Sequence, residues 1–333
     1  MRIALLCPFS KGPARGNITT VNRIADSLSS LGCQVLIIPL DTQTKAEQMQ
    51  AVMQFKPTLL HAFHAFHAGP AALDISKALN LPFIITITGS DLFDQAMRTS
   101  VTTCQVLENT SFITCFDNII ACRLAEYFPT LAMKIRTIPQ GVEKLLCKHK
   151  FSLTANLFTL LLPAALRPVK GITEAINGLA PLADEMPSLR LLIAGGVLDE
   201  TYAKQVETLV ADKPWVKLVG ELSRQQMGQA FCQADAVLNS SQFEGGMANA
   251  LLEAMAACVP VIARDIAGNR SLVKNNETGW LYSNDQQLRD LVKQLAQNPQ
   301  LLHTTGKTAC AYVVENFSPQ TEAKALLELY HSC

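Results

Sequence analysis

The sequence predicts an α/β protein of two Rossmann-like domains, each a parallel sheet with helices on both faces. Three observations lead there. Short apolar segments alternate with amphipathic helical stretches, as buried parallel strands and their crossovers require. That alternation pauses near residue 150 and then restarts. At 333 residues the chain is too long for one small domain and suits two of ordinary size.

In the first run, Arg2–Cys7 is an apolar strand followed by a polar, glycine-bearing loop, Ser10–Gly16. Val21, Ile24, Ala25, Leu28 and Leu31 recur at helical spacing, and Gly32 closes that helix. Gln34–Pro39, Thr58–Ala62 and Phe83–Ile87 read as further strands, with a helix over Ala71–Leu79. Phe112–Cys115 and Lys134–Ile138 continue the series.

The second run begins with a strand at Leu157–Pro163, a helix at Ile172–Ala180 and a strand at Leu189–Ala194. It continues through helix Ala203–Leu209, strand Val216–Val219, helix Gln225–Cys232 and strand Ala236–Asn239. Helix Ala248–Ala257 and strands Val259–Ala263 and Gly279–Tyr282 follow, before the final helices. The lysine-rich run Lys144–Lys150 breaks the pattern, which places the domains at 1–147 and 148–315 with a terminal helix over 316–333. Doubly wound sheets bind ligands beyond the carboxyl ends of their strands, so two such domains facing each other would make a central cleft.

Composition narrows the function. Hydrophobic residues are 49% and charged residues 17%, which excludes a disordered chain. Lys+Arg and Asp+Glu are 28 each, so no general attraction to nucleic acid or anionic membrane is expected. Ten cysteines occur without a Cys-x-x-Cys, several of them in apolar runs such as those around Cys7 and Cys258. They read as free buried thiols of a reducing compartment. Met1–Pro8 is too short for a signal peptide and no apolar stretch is long enough to span a bilayer, so a cytoplasmic location is expected.

Four segments carry chemistry. In Asn239–Ile262 a strand ends, a polar turn carries Glu244, Gly245, Gly246 and Met247, and a helix carries Glu253. Glycines let a phosphate or sugar approach the backbone, and a helix start favours anions. Carboxylates at 244 and 253 suit sugar and ribose hydroxyls; a plain turn with a solvated glutamate is the simpler alternative. In Pro163–Gly171, Arg167 and Lys170 sit on a strand-to-helix loop, where two cations can neutralise a diphosphate or merely face solvent.

The third segment holds His61, His64 and His67, followed by Thr88, Gly89, Ser90 and Asp91. The histidine spacing invites a zinc reading, but the segment passes from strand to loop and no cysteine is near, so no metal is assigned. His67, beside a helix start, is the candidate for the cleft, and Asp91 is either an acceptor contact or a helix cap. The fourth, Lys11–Thr20, lacks the Gly-x-Gly-x-x-Gly of a dinucleotide site, so no nicotinamide cofactor is assigned. Gly16 would allow close approach there.

Residues 244–262 resemble the Glu-x7-Glu signature of the retaining family 4 (group 1) glycosyltransferases. The familiar form is Glu-Gly-x-x-x-x-Leu-Leu-Glu-Ala-Met-Ala before a Pro-Val-Ile strand. Gly268-Asn269, Thr278-Gly279 and Val219-Gly220-Glu221 also fall where that family has its loops. The Glu-Gly-Gly turn and the Leu-Arg-Pro-Val-Lys and Thr-Gly-Ser-Asp segments are similar to two subgroups: the glycosyltransferase 1 domain-containing type and the selenosugar synthases. The resemblance covers most of the chain and is weaker before residue 60.

The resemblance implies a GT-B fold and metal-independent transfer of a hexose, with retention, from a nucleotide-sugar to an unidentified acceptor. A UDP-sugar is the donor expected, and the nucleotide-sugar is a co-substrate, with no separate cofactor. Selenophosphate or thiophosphate is the alternative acceptor, and a non-catalytic nucleotide-sugar-binding protein is the alternative of another class. The resemblance gives Lys170 and Arg167 the diphosphate, Glu244 the donor sugar, Glu253 the ribose and Gly220 the base. Gly245, Gly246, Met247 and Gly16 border the donor and Asp91, Thr88 and Gly89 lie on the acceptor side, while His67 is counted with Lys170, Arg167 and Glu244 as a catalytic candidate. It implies that the last helix returns to the first domain, and it leaves room for peripheral membrane contact. No nucleic-acid partner is expected, and the sequence does not define the oligomeric state.

Three departures stand out. Glu244 and Glu253 enclose eight residues, not seven. A continuous helix would turn one carboxylate about 100° away from its place, so the loop must absorb the extra residue. The family's Thr-x-His-Gly is here Thr86-Ile-Thr88-Gly89, without the histidine. The family's usual arginine position falls on Ala165, and Arg167 substitutes from two residues on.

Overall fold

The structure, a computed structural model, describes residues 1–10, 16–145, 157–244 and 246–333. The domain joint expected at 147/148 lies outside them, as do Lys11–Arg15 and Gly245. The chain forms two compact units. The first comprises Met1–Gly141, Gly245–Met247 and Phe317–Cys333; the second comprises Val142–Glu244 and Ala248–Asn316.

The first unit contains strands β1 (Arg2–Cys7), β2 (Gln34–Pro39), β3 (Leu59–Phe63), β4 (Phe83–Thr86), β5 (Phe112–Cys115) and β6 (Ile135–Thr137). They form one parallel sheet in the order β2-β1-β3-β4-β5-β6. The apolar runs of the inner strands β1, β3, β4 and β5 are buried on both faces. Leu6, Leu60 and Ile85 pack into one core, and Leu5, Leu59 and Ile84 into the other, where Ile24, Leu28, Leu326 and Tyr330 meet them. The period-two alternation of a strand gives each core its own set of side chains.

The helix Pro319–Tyr330 belongs to this unit. Ser318 caps it by accepting from Thr321 N, and its apolar face joins the second core. Its Glu322 accepts from Arg23 Nε and Nη2, both at 2.9 Å, on the helix Gly16–Ser30. The two side chains are 10% and 2% exposed, so this fork-to-fork pair is taken out of water. Gly141 lies so close that a Cβ there would meet Pro319 Cα at 2.5 Å.

The second unit contains β7 (Phe158–Pro163), β8 (Leu189–Ala194), β9 (Val216–Gly220), β10 (Ala236–Asn239), β11 (Val261–Arg264) and β12 (Trp280–Tyr282). Its parallel sheet runs β12-β11-β10-β7-β8-β9. Leu160, Leu162, Leu191, Leu238 and Ile262 pack beneath Ile176, Leu179, Val206 and Val292. Asp199, Ser223 and Asn284 cap three of its helices. Among the described residues no helix is long and apolar enough to cross a membrane.

The cysteines depart from expectation. Cys258 and Cys310 are paired as a disulfide, with Cα atoms 4.7 Å apart, and Cys232 is disulfide-bonded as well. Sequence separation hides this pairing, because Cys258 and its partner are 52 positions apart. Cys7 and Cys115 remain free and buried, and burial pushes their thiols up to about 11 and about 12.

Both sheets have a topological switch. In the first, β1 connects outward to β2 while β3 connects the other way to β4. In the second, β7 leads to β8 and β10 leads to β11, in opposite directions. The diverging crossovers open a crevice at the carboxyl ends of β7 and β10, where sheets of this kind bind ligands.

Candidate active site

The loops after β7 and β10 meet in that crevice. The β7 loop is pinned first at Leu166, whose N–H donates to Gly196 O and whose carbonyl accepts from Leu198 N and Asp199 N. Arg167 follows in extended conformation and exposed. Pro168–Lys170 form one 3-10 turn, closed by Gly171 at φ 59°. A Cβ on Gly171 would stand 2.3 Å from Ser240 O, so only glycine lets the two loops touch. Ser240 Oγ donates to Lys170 O at 2.8 Å and Gln242 N donates to Val169 O at 2.9 Å.

This contact brings Lys170 to Glu244. Lys170 Nζ donates to Glu244 Oε1 at 2.6 Å, with the side chains 17% and 13% exposed. Ser241 Oγ at 2.6 Å and Asn239 Nδ2 at 3.3 Å donate to the same oxygen. Burial pushes the Glu244 carboxyl up, but the Lys170 charge and these hydrogen bonds outweigh it and hold the group below its usual range. The Glu244 carboxylate is therefore charged at neutral pH. Sequence reasoning named Lys170 and Glu244 but not the bond between them.

The next residues show how the extra position is taken up. Gly246 adopts φ 141°, and the helix begins only at Asn249, so the insertion lies in the loop. Glu253 sits on that helix, partly exposed. Gly245 lies outside the described residues. Met247 is buried, and its carbonyl accepts from Gln140 Nε2 at 2.8 Å within the first unit. Gly220 ends β9 at φ 74° beside open space, with nothing within 4 Å of a Cβ placed there.

In the first unit, the histidine segment follows β3. His61 is fully buried; its Nδ1 meets Tyr330 Oη at 2.7 Å and its Nε2 meets Thr86 Oγ1 at 2.6 Å. Burial drives its pKa down to about 3, so the ring is neutral. His64 adopts φ 88°, buried, with Nε2 at 2.8 Å from Ser90 Oγ. His67 is exposed, its ring edge-on to Phe9 at 5.1 Å, and its N–H donates to His64 Nδ1. The His64 and His67 rings lie 4.3 Å apart, centroid to centroid, and among the described residues no cluster is arranged to hold a metal ion.

Asp91 turns inward. Only 2% exposed, its carboxylate accepts from Ala65 N, Thr88 N and Gly89 N. It organises the loop between β4 and the following turn, and it occupies the backbone donors of Thr88 and Gly89. Gly16 is the first residue of the helix Gly16–Ser30. His64 is the buried histidine of this loop, and the sequence reading did not single out the group formed by Asn239 and Ser241, which donate to Glu244, and Asn269, which donates to Asn239. The Asn-Ser-Ser run before the acidic turn was the available clue to that group.

Residues 148–311 match the family described as "Glycosyl transferases group 1". The chain is 28% identical over 327 residues to the Xenopus tropicalis "Glycosyltransferase 1 domain-containing protein 1", covering 92% of this chain and 91% of that one. Among solved structures it is similar to Anabaena HepE in complex with UDP-glucose, with a TM-score of 0.79, 19% identity and full coverage of both chains. It is also similar to sucrose-phosphate synthase from Thermosynechococcus elongatus, with a TM-score of 0.82, 18% identity, and 99% and 98% of the two chains covered. These likenesses give the chain the GT-B fold.

Proposed function

We propose that this chain is a group 1 glycosyltransferase that moves a sugar from a UDP-sugar to an acceptor with retention of anomeric configuration. The observation that carries the proposal is the Lys170–Glu244 pair at the switch point of the second sheet. A cation and a carboxylate held together there match the two halves of a nucleotide-sugar. Lys170 and Arg167 take the diphosphate, whose charge grows as the glycosidic bond breaks. Glu244 takes hydroxyls of the donor sugar, Glu253 takes the ribose, and the open backbone at Gly220 takes the base. The UDP-glucose complex of HepE supports the choice of donor.

Binding must rearrange the resting pair. Lys170 has three N–H donors, so it can turn toward phosphate while Glu244 turns toward a sugar hydroxyl. The departing phosphate oxygen then accepts the acceptor's proton, and the acceptor oxygen bonds to the anomeric carbon on the face the diphosphate leaves. In this reading the first unit presents the acceptor, near the exposed ring of His67.

A thermal-shift screen of UDP-, GDP- and ADP-sugars tests the proposal, because a ligand that binds only the native state raises its melting temperature. A rise with UDP-glucose is expected. No rise with any of these donors would overturn the proposal.

A further inference from the structure

We propose that Asn269 is a positioning residue for Glu244, acting through Asn239. The inference rests on the reading of Glu244 as the group that contacts the donor sugar. Three donors converge on Glu244 Oε1: Lys170 Nζ, Ser241 Oγ and Asn239 Nδ2. When Lys170 turns toward a diphosphate, the carboxylate loses its charged partner. Ser241 and Asn239 are the two that stay, because neither carries a charge for the diphosphate to attract.

Asn239 holds Glu244 only in one sense of its amide. With Nδ2 toward the carboxylate it donates; turned over, its carbonyl would face a carboxylate and repel it. The other end of the amide decides which sense is adopted. Asn239 Oδ1 accepts from Ser241 N at 3.0 Å and from Asn269 Nδ2 at 3.4 Å. Asn269 is 0% exposed, and the same Nδ2 donates to Arg264 O at 2.9 Å, at the end of β11. A rigid strand end therefore sets Asn269, Asn269 helps set Asn239, and Asn239 holds Glu244.

Asn269 Oδ1 sharpens the point. It is buried and finds no hydrogen-bond partner among the described residues. An amide kept in the interior with one end unsatisfied is a poor packing choice, since an apolar side chain would avoid the cost. A positioning duty toward Asn239 accounts for it.

Asn269→Asp tests the proposal in the full-length chain. The aspartate places only acceptors opposite Asn239 Oδ1, which favours the turned-over amide. Glu244 then loses a donor, and its carboxyl titration, followed by 13C NMR without ligand, moves upward. With UDP-glucose as probe, kcat for UDP release falls about ten-fold while KM stays within about two-fold, because the group is present but misaimed.

Asn269→Ala removes the tie without adding charge and carries the same test if the aspartate variant does not fold. A Glu244 titration unmoved in the folded variant would overturn the proposal, and so would a fall in stability with kcat and KM unchanged. The ligand-free titration stands apart from the donor reading. Absence of UDP-glucose binding by the wild type would defeat that reading alone, whatever the titration shows.

Discussion

Lys170 Nζ lies 2.6 Å from Glu244 Oε1, joining the loop after β7 to the loop after β10 across the switch point of the second sheet. The pair is neither exposed nor fully dry, at 17% and 13%. Removing one partner leaves a largely desolvated charge. Lys170→Ala is expected to lower stability by about 2 kcal/mol, between the values typical of surface and buried pairs. Urea denaturation checks the figure.

The same pair predicts a pH dependence. The folded carboxyl of Glu244 lies below its ordinary 4.5, so its stabilising contribution is present above that value and is lost as pH falls through the folded pKa. Lys170→Met should move the Glu244 titration upward, because burial then acts without the opposing charge. Carboxyl-region NMR of the two proteins gives the direction.

His61 makes a second pH prediction, in the first unit. Its pKa falls from 6.5 to about 3 on folding, because burial disfavours the charged ring. Stability is complete above about pH 6.5 and declines as pH falls toward 3, by up to about 1.4 kcal/mol per pH unit. His61→Phe should flatten that slope. It should also lower stability at pH 7 by about 1–3 kcal/mol, by orphaning partners on Tyr330 and Thr86. Hydrogen exchange of the first sheet's amides between pH 7 and 5 measures both effects.

The terminal helix is tested at Arg23. Its guanidinium meets Glu322, whose side chain is 2% exposed, so Arg23→Ala would strand a buried carboxylate at a cost of about 3 kcal/mol. Faster exchange in the helix Pro319–Tyr330 is the expected signature. A Glu322→Gln change made together with Arg23→Ala should recover part of the loss, since the stranded group is then neutral.

Gly171 couples fold to site. Gly171→Ala puts a side chain at φ 59°, costing about 1–2 kcal/mol. The new Cβ also presses on Ser240 O, which must move with the Glu244 loop. Both stability and UDP-sugar binding should fall, whereas a local turn effect alone would change stability only.

The sequence shows the sheets and the charged residues clearly, because both are written locally. Runs such as Ile3–Cys7 and Leu160–Leu162 could only be buried strands, and Lys170, Glu244 and Glu253 follow a recognisable spacing. Pairings across long separations are not written this way. The Lys170–Glu244 bond spans 74 residues, His61–Tyr330 spans 269 and Arg23–Glu322 spans 299. Cys258 looked like an apolar run's thiol because its partner, Cys310, lies on a helix 52 residues on. The backbone of His64 is not written locally either, because no local rule places a buried histidine at φ 88°. Asp91 has a side chain fit for a ligand, but its folded neighbours supply the N–H groups that hold it inward.

The central claim is that Lys170 and Glu244 form the donor end of a sugar-transfer site. Release of UDP from UDP-glucose, compared between the wild type and Lys170→Ala at matched folded protein, tests it most directly. The account predicts acceptor-stimulated release by the wild type and a loss of about 100-fold or more in the variant, since a fixed charge on the leaving group is removed. Tight UDP-glucose binding with no release under any acceptor, or equal release by both proteins, would contradict it.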